Sequence, residues 1–328
     1  MATHLSSPLR LTLLLLVTLA VTSACDPADF ESFNRISKLR VLAFVVDPPE
    51  VAPGEEVSVS PVVGTAPDGG PLFWSWQLCL ATRGPSEFFR CPERLGDDVP
   101  FPNVIASSQD EVFTFTQDLL DDGTLRQICE VLNSPAVTLP SFVELPVCEI
   151  GLPLRLVLRV CEGEPDCDDL DAEIASRTLV LLFDEEAARA DRNVNPAIAG
   201  LMIDDQIVRA GEPTVIRLDD PERELQLTAL VNAAVAQRFE PFARRGEPDA
   251  EVLEQLRLTW FSTAGDLGKG VGFFADGIAT LEELQANTLS FADEPPAEPL
   301  TVGIWLVLRD NRQGAATIYR EIIVEPAP

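Results

Sequence analysis

The chain has 328 residues, 46% hydrophobic and 23% charged, a composition that excludes a disordered polypeptide and gives room for two cores of ordinary domain size. Its 53 acidic residues against 24 basic ones give a formal charge of −29, and Lys38 and Lys269 are the only lysines. Such a surface repels nucleic acid and anionic lipid headgroups, so no nucleic-acid partner is expected.

At the N-terminus, Arg10 precedes an apolar run from Leu11 to Val21, followed by Thr22-Ser23-Ala24-Cys25. The run is too short for a hydrocarbon layer of ~30 Å and reads as the centre of a cleaved signal peptide, residues 1–24. Small residues directly before a cysteine resemble a bacterial lipobox, with Thr22 in place of the usual leucine. That resemblance implies a lipid on Cys25, attachment to a membrane through it, and a place in the cell envelope. Each buried CH₂ of the lipid contributes about 0.8 kcal/mol, so several chains anchor stably. Asp26 would hold an enteric lipoprotein at the inner membrane; that rule belongs to enteric bacteria, and the outer membrane is the expectation here. Residues 25–37 form a tether that, at ~3.5 Å per residue, keeps the first folded segment within about 40 Å of the lipid.

From Leu39 onward, short segments alternate apolar and polar residues between Pro and Gly, the pattern of an all-β sandwich or barrel. Val57 and Val59 alternate with serines, and Trp74, Trp76 and Leu78 with Ser75 and Gln77. Leu152, Leu154, Leu156, Leu158 and Val160 form one face of a long strand. Thr178 to Phe183 is a continuous apolar run, as for a strand packed on both sides or closing the sheet. Between about residues 80 and 150 the alternation degrades, and this stretch reads as a disulfide-stapled insertion in a first domain, 38–185. A helix is expected near Leu125 to Leu132. The polar segment 186–195 reads as a linker.

The second domain, 196–328, repeats the first in outline. Val51-Ala-Pro-Gly54-Glu55 has its echo in Val208-Arg-Ala-Gly211-Glu212, Trp76 in Trp260, and Leu-Val-Leu-Arg occurs at 156–159 and again at 306–309. Leu225, Leu227, Ala229 and Val231 alternate cleanly, as do Leu256, Leu258 and Trp260, and Val302, Ile304, Leu306 and Leu308. Thr280-Leu-Glu-Glu283 has the spacing of a capping box and predicts one short helix.

Two stretches carry a resemblance. Arg40-Val-Leu-Ala-Phe-Val-Val-Asp-Pro-Pro-Glu-Val-Ala-Pro-Gly-Glu-Glu56 with Trp74-Ser-Trp76-Gln-Leu-Cys79 resembles the opening strands of bacterial immunoglobulin-like domains of envelope lipoproteins. Trp260-Phe-Ser-Thr-Ala-Gly265 with Leu308-Arg-Asp310-Asn-Arg-Gln-Gly314 is similar to polycystic-kidney-disease-type modules, which carry a tryptophan on the third strand and an Asp/Gly turn after the penultimate one. The resemblance implies two tandem immunoglobulin-like β-sandwich domains and implies no activity. One departure is visible: immunoglobulin domains bridge the second and sixth strands, whereas here Cys79 and Cys161 stand at the ends of the third and sixth.

Six cysteines follow Cys25, an even number in an exported chain, which reads as three disulfides with about 15 connectivities open. Cys161 and Cys167 are neighbours around a loop and pair first; Cys79 with Cys91 and Cys129 with Cys148 complete the sequential set.

Chemistry is scarce. The only histidine, His4, lies in the leader, so the mature chain would have no imidazole, and Ser-His-Asp and Cys-His nucleophiles are excluded. No Ser-x-x-Lys or Gly-x-Ser-x-Gly spacing occurs, and Gly265-Asp-Leu-Gly268-Lys269-Gly270 lacks the residues of a phosphate loop. No catalytic residue is assigned and no enzyme is expected. The acidic loop Glu162 to Glu173 is the most pointed feature: Asp166, Asp168, Asp169 and Asp171 are the only candidate ligands, for Ca²⁺, the one cofactor considered. An EF-hand is excluded, since Asp171 stands where glycine is needed and Arg177 at the twelfth position; a solvated hairpin tip is the simpler reading. Phe88-Phe89 and Phe273-Phe274 are candidate contact patches. The expected function is a non-enzymatic, lipid-anchored envelope protein that presents its domains to a protein partner or scaffold. An adhesin or glycan-binding module is the alternative, counted against by four tryptophans in strand patterns. A carboxylate-only hydrolase comes third.

Overall fold

The computed structural model describes residues 32–66, 69–96, 99–116, 122–135, 137, 148, 151–183, 192–220, 222–241 and 251–326. The leader, Cys25 and the first part of the tether lie outside the described residues, as do 186–191 of the expected linker. The described chain is all-β apart from two helices and short 3₁₀ turns, in mostly antiparallel sheets. From Asn34 to the end it is one compact unit.

In the N-terminal half the strands are β1 (Arg40–Asp47), β2 (Glu56–Gly64), β3 (Leu72–Cys79), β4 (Val104–Ser108), β5 (Phe113–Thr116), β6 (Gly151–Glu162) and β7 (Glu173–Leu182), with helix α1 (Asp122–Leu132) between β5 and β6. They form a three-stranded sheet, β1-β2-β5, and a four-stranded sheet, β4-β3-β6-β7. The alternating faces read from sequence meet inside: Val57, Val59, Trp76, Leu78, Leu152, Leu154, Leu156, Leu158 and Val160 are essentially inaccessible. Trp76 packs against Phe44 and Phe113, with ring centroids 5.7 and 5.8 Å apart, and its indole N–H donates to the Asp110 carbonyl at 2.8 Å.

One expectation is corrected here. The stretch 80–150 is not wholly an insertion, because β4 pairs with β3 and β5 with β2. Phe113 and Phe115 alternate with threonines and enter the core, but four residues are too few for period-two alternation to stand out. Helix α1 joins the same core through Leu125, Ile128, Cys129 and Leu132, the i, i+3, i+4, i+7 stripe of an amphipathic helix. β7 closes its sheet as an edge strand, one of the two expectations for its apolar run, and its apolar end meets Val51, whose carbonyl accepts from Leu182 N at 2.9 Å.

In the C-terminal half the strands are β8 (Gly200–Ile203), β9 (Gln206–Val208), β10 (Thr214–Arg217), β11 (Leu225–Leu230), β12 (Arg238–Phe239), β13 (Val252–Leu253), β14 (Leu256–Ser262), β15 (Asp266–Leu267), β16 (Val271–Phe274), β17 (Ala286–Ser290), β18 (Leu300–Asp310) and β19 (Ala315–Glu325). Two five-stranded sheets result, β15-β17-β11-β8-β9 and β10-β19-β18-β14-β16, with β12-β13 as a separate ribbon. β10 runs parallel to β19, and the parallel bridge from Val51 to Leu181 is its counterpart in the first half. Gly54 and Gly211, the glycines of the sequence echo, share a φ of 75°, which only glycine adopts freely. Helix α2 (Leu281–Gln285) starts on the expected capping box, Thr280 and Glu283 each bonding the other's backbone.

A third apolar cluster joins the halves: Ile36, Leu42, Ala43 and Val62 pack with Phe261, Trp305 and Val307. Strict alternation would send Leu42 into the first core beside Phe44 and Val46. A slip in register between Val41 and Ala43 turns it outward instead. β18 is therefore buried on both faces, Val302, Ile304, Leu306 and Leu308 inward and Trp305 and Val307 toward β1. The tether also ends earlier than expected, since Ile36 N donates to the Ser262 carbonyl at 2.7 Å and Ile36 is buried.

Candidate functional site

The three disulfides join Cys79 to Cys91, Cys129 to Cys148 and Cys161 to Cys167, with Cα–Cα distances of 6.1, 6.2 and 5.8 Å. All are sequential and close loops, so neither core is bridged between its sheets. The acidic loop between β6 and β7 does not gather its carboxylates. Asp169 pairs with Arg90 and Arg159, and these bonds hold its carboxyl below the ordinary aspartate range, the hydrogen bond from Arg90 first. Arg159 also donates to the Cys167 carbonyl. Asp166, Asp168 and Asp171 are exposed, and among the described residues no three His, Cys, Asp or Glu side chains converge on a metal-sized position. At Asp169 the neighbours are two guanidiniums, those of Arg90 and Arg159. Phe273 is about half exposed with Arg257 lying over its ring, while Phe88 and Phe89 are half-buried in left-handed conformations.

The most developed polar site carries no sequence motif. A cleft of about 500 Å³ opens between β1, β7 and the β18–β19 hairpin. β1 and β7 are the outer strands of the two N-terminal sheets, so both present unpaired backbone edges there. Phe44 faces Pro61 on β2, which has no N–H to offer its carbonyl. Side chains supply donors instead: Arg309 to the Leu42 carbonyl, Arg177 to that of Phe44, and Asn195 to that of Val46 at 2.7 Å. Arg177 reaches the Gln313 carbonyl as well, and Arg309 approaches Thr259 Oγ1 at 3.5 Å.

Beside these arginines the hairpin turn is built on Asp310. Its Oδ1 accepts from the backbone N–H of Arg312 and of Gly314, both at 2.7 Å, and its Oδ2 from Asn193 Nδ2 at 3.2 Å. A side chain at 314 would collide with that carboxylate, which explains the Asp/Gly pairing of the turn. Arg312 lies over the Phe239 ring and bonds Glu50 at 2.8 Å and the fully buried Glu254 at 3.4 Å. Arg192 pairs with Glu55, and Asn193 N donates to Glu50 at 3.1 Å. Residues 192–195, the described end of the expected linker, are thus bonded to both halves.

Burial sets the electrostatics. It lowers Arg177 to about 10, with the Arg309 charge acting in the same direction, and it lowers Arg309, with Arg257 adding to the effect. It raises Glu254 and Asp310 above the ordinary carboxylate range. Arg177 and Arg309 carry no ion pair among the described residues, whereas Arg312 and Arg192 each hold a carboxylate.

No protein-family model matches the chain, and no curated protein matches it significantly. Among solved structures it is similar to the three N-terminal domains of the bacteriophage RB49 Highly Immunogenic Outer Capsid protein, at 14% identity over 89% of this chain and 71% of that one, with a TM-score of 0.20. It is similar to a 1.5-MDa bacterial ice-binding adhesin at 8% identity over 89% and 67%, TM-score 0.20, and to chicken CNTN1 FN1-FN3 domains at 8% over 84% and 68%, TM-score 0.18. Scores this low bear on neither fold nor function, and the architecture rests on the strand pairings themselves.

Proposed function

We propose that the chain is a non-enzymatic interaction module of the cell envelope, anchored through a lipid on Cys25 after removal of residues 1–24, with two immunoglobulin-like sandwiches offered to a protein partner. The observation that supports it best is the apolar cluster of Leu42, Phe261, Trp305 and Val307 that fastens the halves together. Loops at opposite ends of such a unit keep their spacing, which suits a scaffold. The lone histidine, His4, within the expected leader fits the same reading, because it leaves the mature chain without the commonest general base.

Crosslinking in native membranes followed by mass spectrometry of the captured proteins tests the partner. Radiolabelled palmitate tests the anchor: the label should enter the wild-type chain and be absent from Cys25→Ser, which should leave the membrane fraction. An unlabelled wild-type chain defeats the anchor, and a chain that crosslinks to no protein in intact envelopes defeats the partner.

A further inference from the structure

We propose that the cleft between β1, β7 and the Asp310 hairpin binds a single carboxylate, held between Arg177 and Arg309. This goes beyond the function proposed above and does not rest on it.

Each of the two guanidiniums has five N–H donors in a planar fork, and the bonds made to the Leu42, Phe44 and Gln313 carbonyls and to Thr259 leave donors over on both. Both are half-buried, and a guanidinium partly withdrawn from water gains from an anion beside it. Here, in a chain with more than twice as many acidic as basic residues, neither meets a carboxylate at ion-pair distance among the described residues. The one carboxylate on the cleft wall, Asp310, is engaged by Arg312 N, Gly314 N and Asn193. The wall therefore carries two positive charges against one negative.

That balance selects the ligand. A monoanion neutralises the wall, whereas a dianionic phosphate would exceed it and face the Asp310 carboxylate. A planar carboxylate also accepts paired bonds from a guanidinium fork. The chain's net charge works against polyanions at long range and little against a single charge. At about 500 Å³ the cleft is far larger than a carboxylate group and falls within the ~300–1,000 Å³ of small-ligand sites. The bearer would bring an apolar body alongside Val41 and Ala175, which line the same wall. A small organic acid and the C-terminus of a peptide share this chemistry.

Isothermal calorimetry of the purified chain decides the matter, with benzoate and the peptide Ala-Val-Leu as probes and benzamide, the amidated peptide and inorganic phosphate as controls. Carboxylate-bearing probes should bind and their amides should not, with tighter benzoate binding assigning a free acid and tighter peptide binding a chain terminus. Arg177→Gln with Arg309→Gln should weaken binding by at least about tenfold. Should that variant fail to fold, Arg177→Lys keeps the charge, loses the fork, and should still weaken binding. Heat with phosphate equal to that with carboxylates, binding that survives the arginine changes, or no carboxylate-dependent heat up to about 50 mM would each overturn the proposal.

Discussion

Arg309, on the penultimate strand of the C-terminal half, donates a hydrogen bond to the main-chain carbonyl of Leu42 on the first strand of the N-terminal half. The two residues lie 267 positions apart in the chain. The bond blocks an open strand edge and fastens one half to the other, next to the apolar contact of Leu42 with Val307 and Trp305.

Loss of that side chain should loosen the joint more than either core. Arg309→Ala removes a charged donor worth about 1.5–3 kcal/mol, but the cleft is open and water can reach the freed carbonyl. The expected net cost is about 1–2 kcal/mol, read from urea denaturation. Hydrogen exchange should rise at β1 and stay unchanged at β6 and β11. An exchange increase spread evenly over both cores would contradict the assignment of Arg309 to the joint.

Trp76 and Trp260 are equally inaccessible, yet only Trp76 has an indole partner, Asp110 O; Trp260 Nε1 has none among the described residues. Replacement by phenylalanine shrinks both cores by the same volume and removes a hydrogen bond only from the first. Trp76→Phe should cost about 1 kcal/mol more than Trp260→Phe, measured by chemical denaturation of each single variant. Equal costs would mean that the Trp260 indole has a partner in solution.

The core faces were legible because period-two alternation reports which side of a strand is apolar. It held for Leu152 to Val160, for Leu225 to Val231 and for Val302 to Leu308. It is silent about what covers a second apolar face. Trp305 and Val307, between the alternating residues of β18, are apolar as well, but nothing local names β1 as their cover. Leu42 escaped for a different reason: a one-residue slip reverses a side chain without leaving a mark in composition. Of the two arginines of the cleft, Arg309 was visible only as the end of a repeat and Arg177 only as the residue that breaks an EF-hand spacing. Arg159 and Arg309 end the two copies of Leu-Val-Leu-Arg, and each donates to a backbone carbonyl, Arg159 within its own hairpin and Arg309 across to the other half. Catalytic motifs do not mark residues whose role depends on contacts made far along the chain.

The disulfides should rank by the length of loop they close. The separations are 6, 12 and 19 residues for Cys161–Cys167, Cys79–Cys91 and Cys129–Cys148. Loop-closure entropy then assigns them about 2.3, about 2.9 and about 3.3 kcal/mol. Paired Cys→Ala variants, compared by thermal unfolding under non-reducing conditions, test the order. Removal of Cys161–Cys167 should also release Arg159, which bonds the Cys167 carbonyl and Asp169, so a cost for that pair well above its entropic share is the expected departure.

Two glutamates at the joint should give stability opposite dependences on pH. Burial raises Glu254 above its ordinary 4.5. As pH climbs from that value toward the folded pKa, the unfolded chain gives up the proton first and the folded state binds more protons. Stability therefore falls across this window. Glu55 is lowered, chiefly by the hydrogen bond from Arg192. Its contribution is present above 4.5 and is lost as pH falls through its folded pKa. Glu254→Gln keeps only one of the two oxygens that accept from Gln237 N and Arg312, a loss that is independent of pH, so the slope and not the offset is the readout. Relative to wild type, Glu254→Gln should gain stability as pH rises above 4.5, whereas the deficit of Glu55→Gln should shrink as pH falls below it. Urea denaturation at about pH 3, 4.5 and 7 separates the two windows. A Glu254→Gln curve parallel to wild type at every pH would show that this carboxyl ionises in the folded joint as easily as in water.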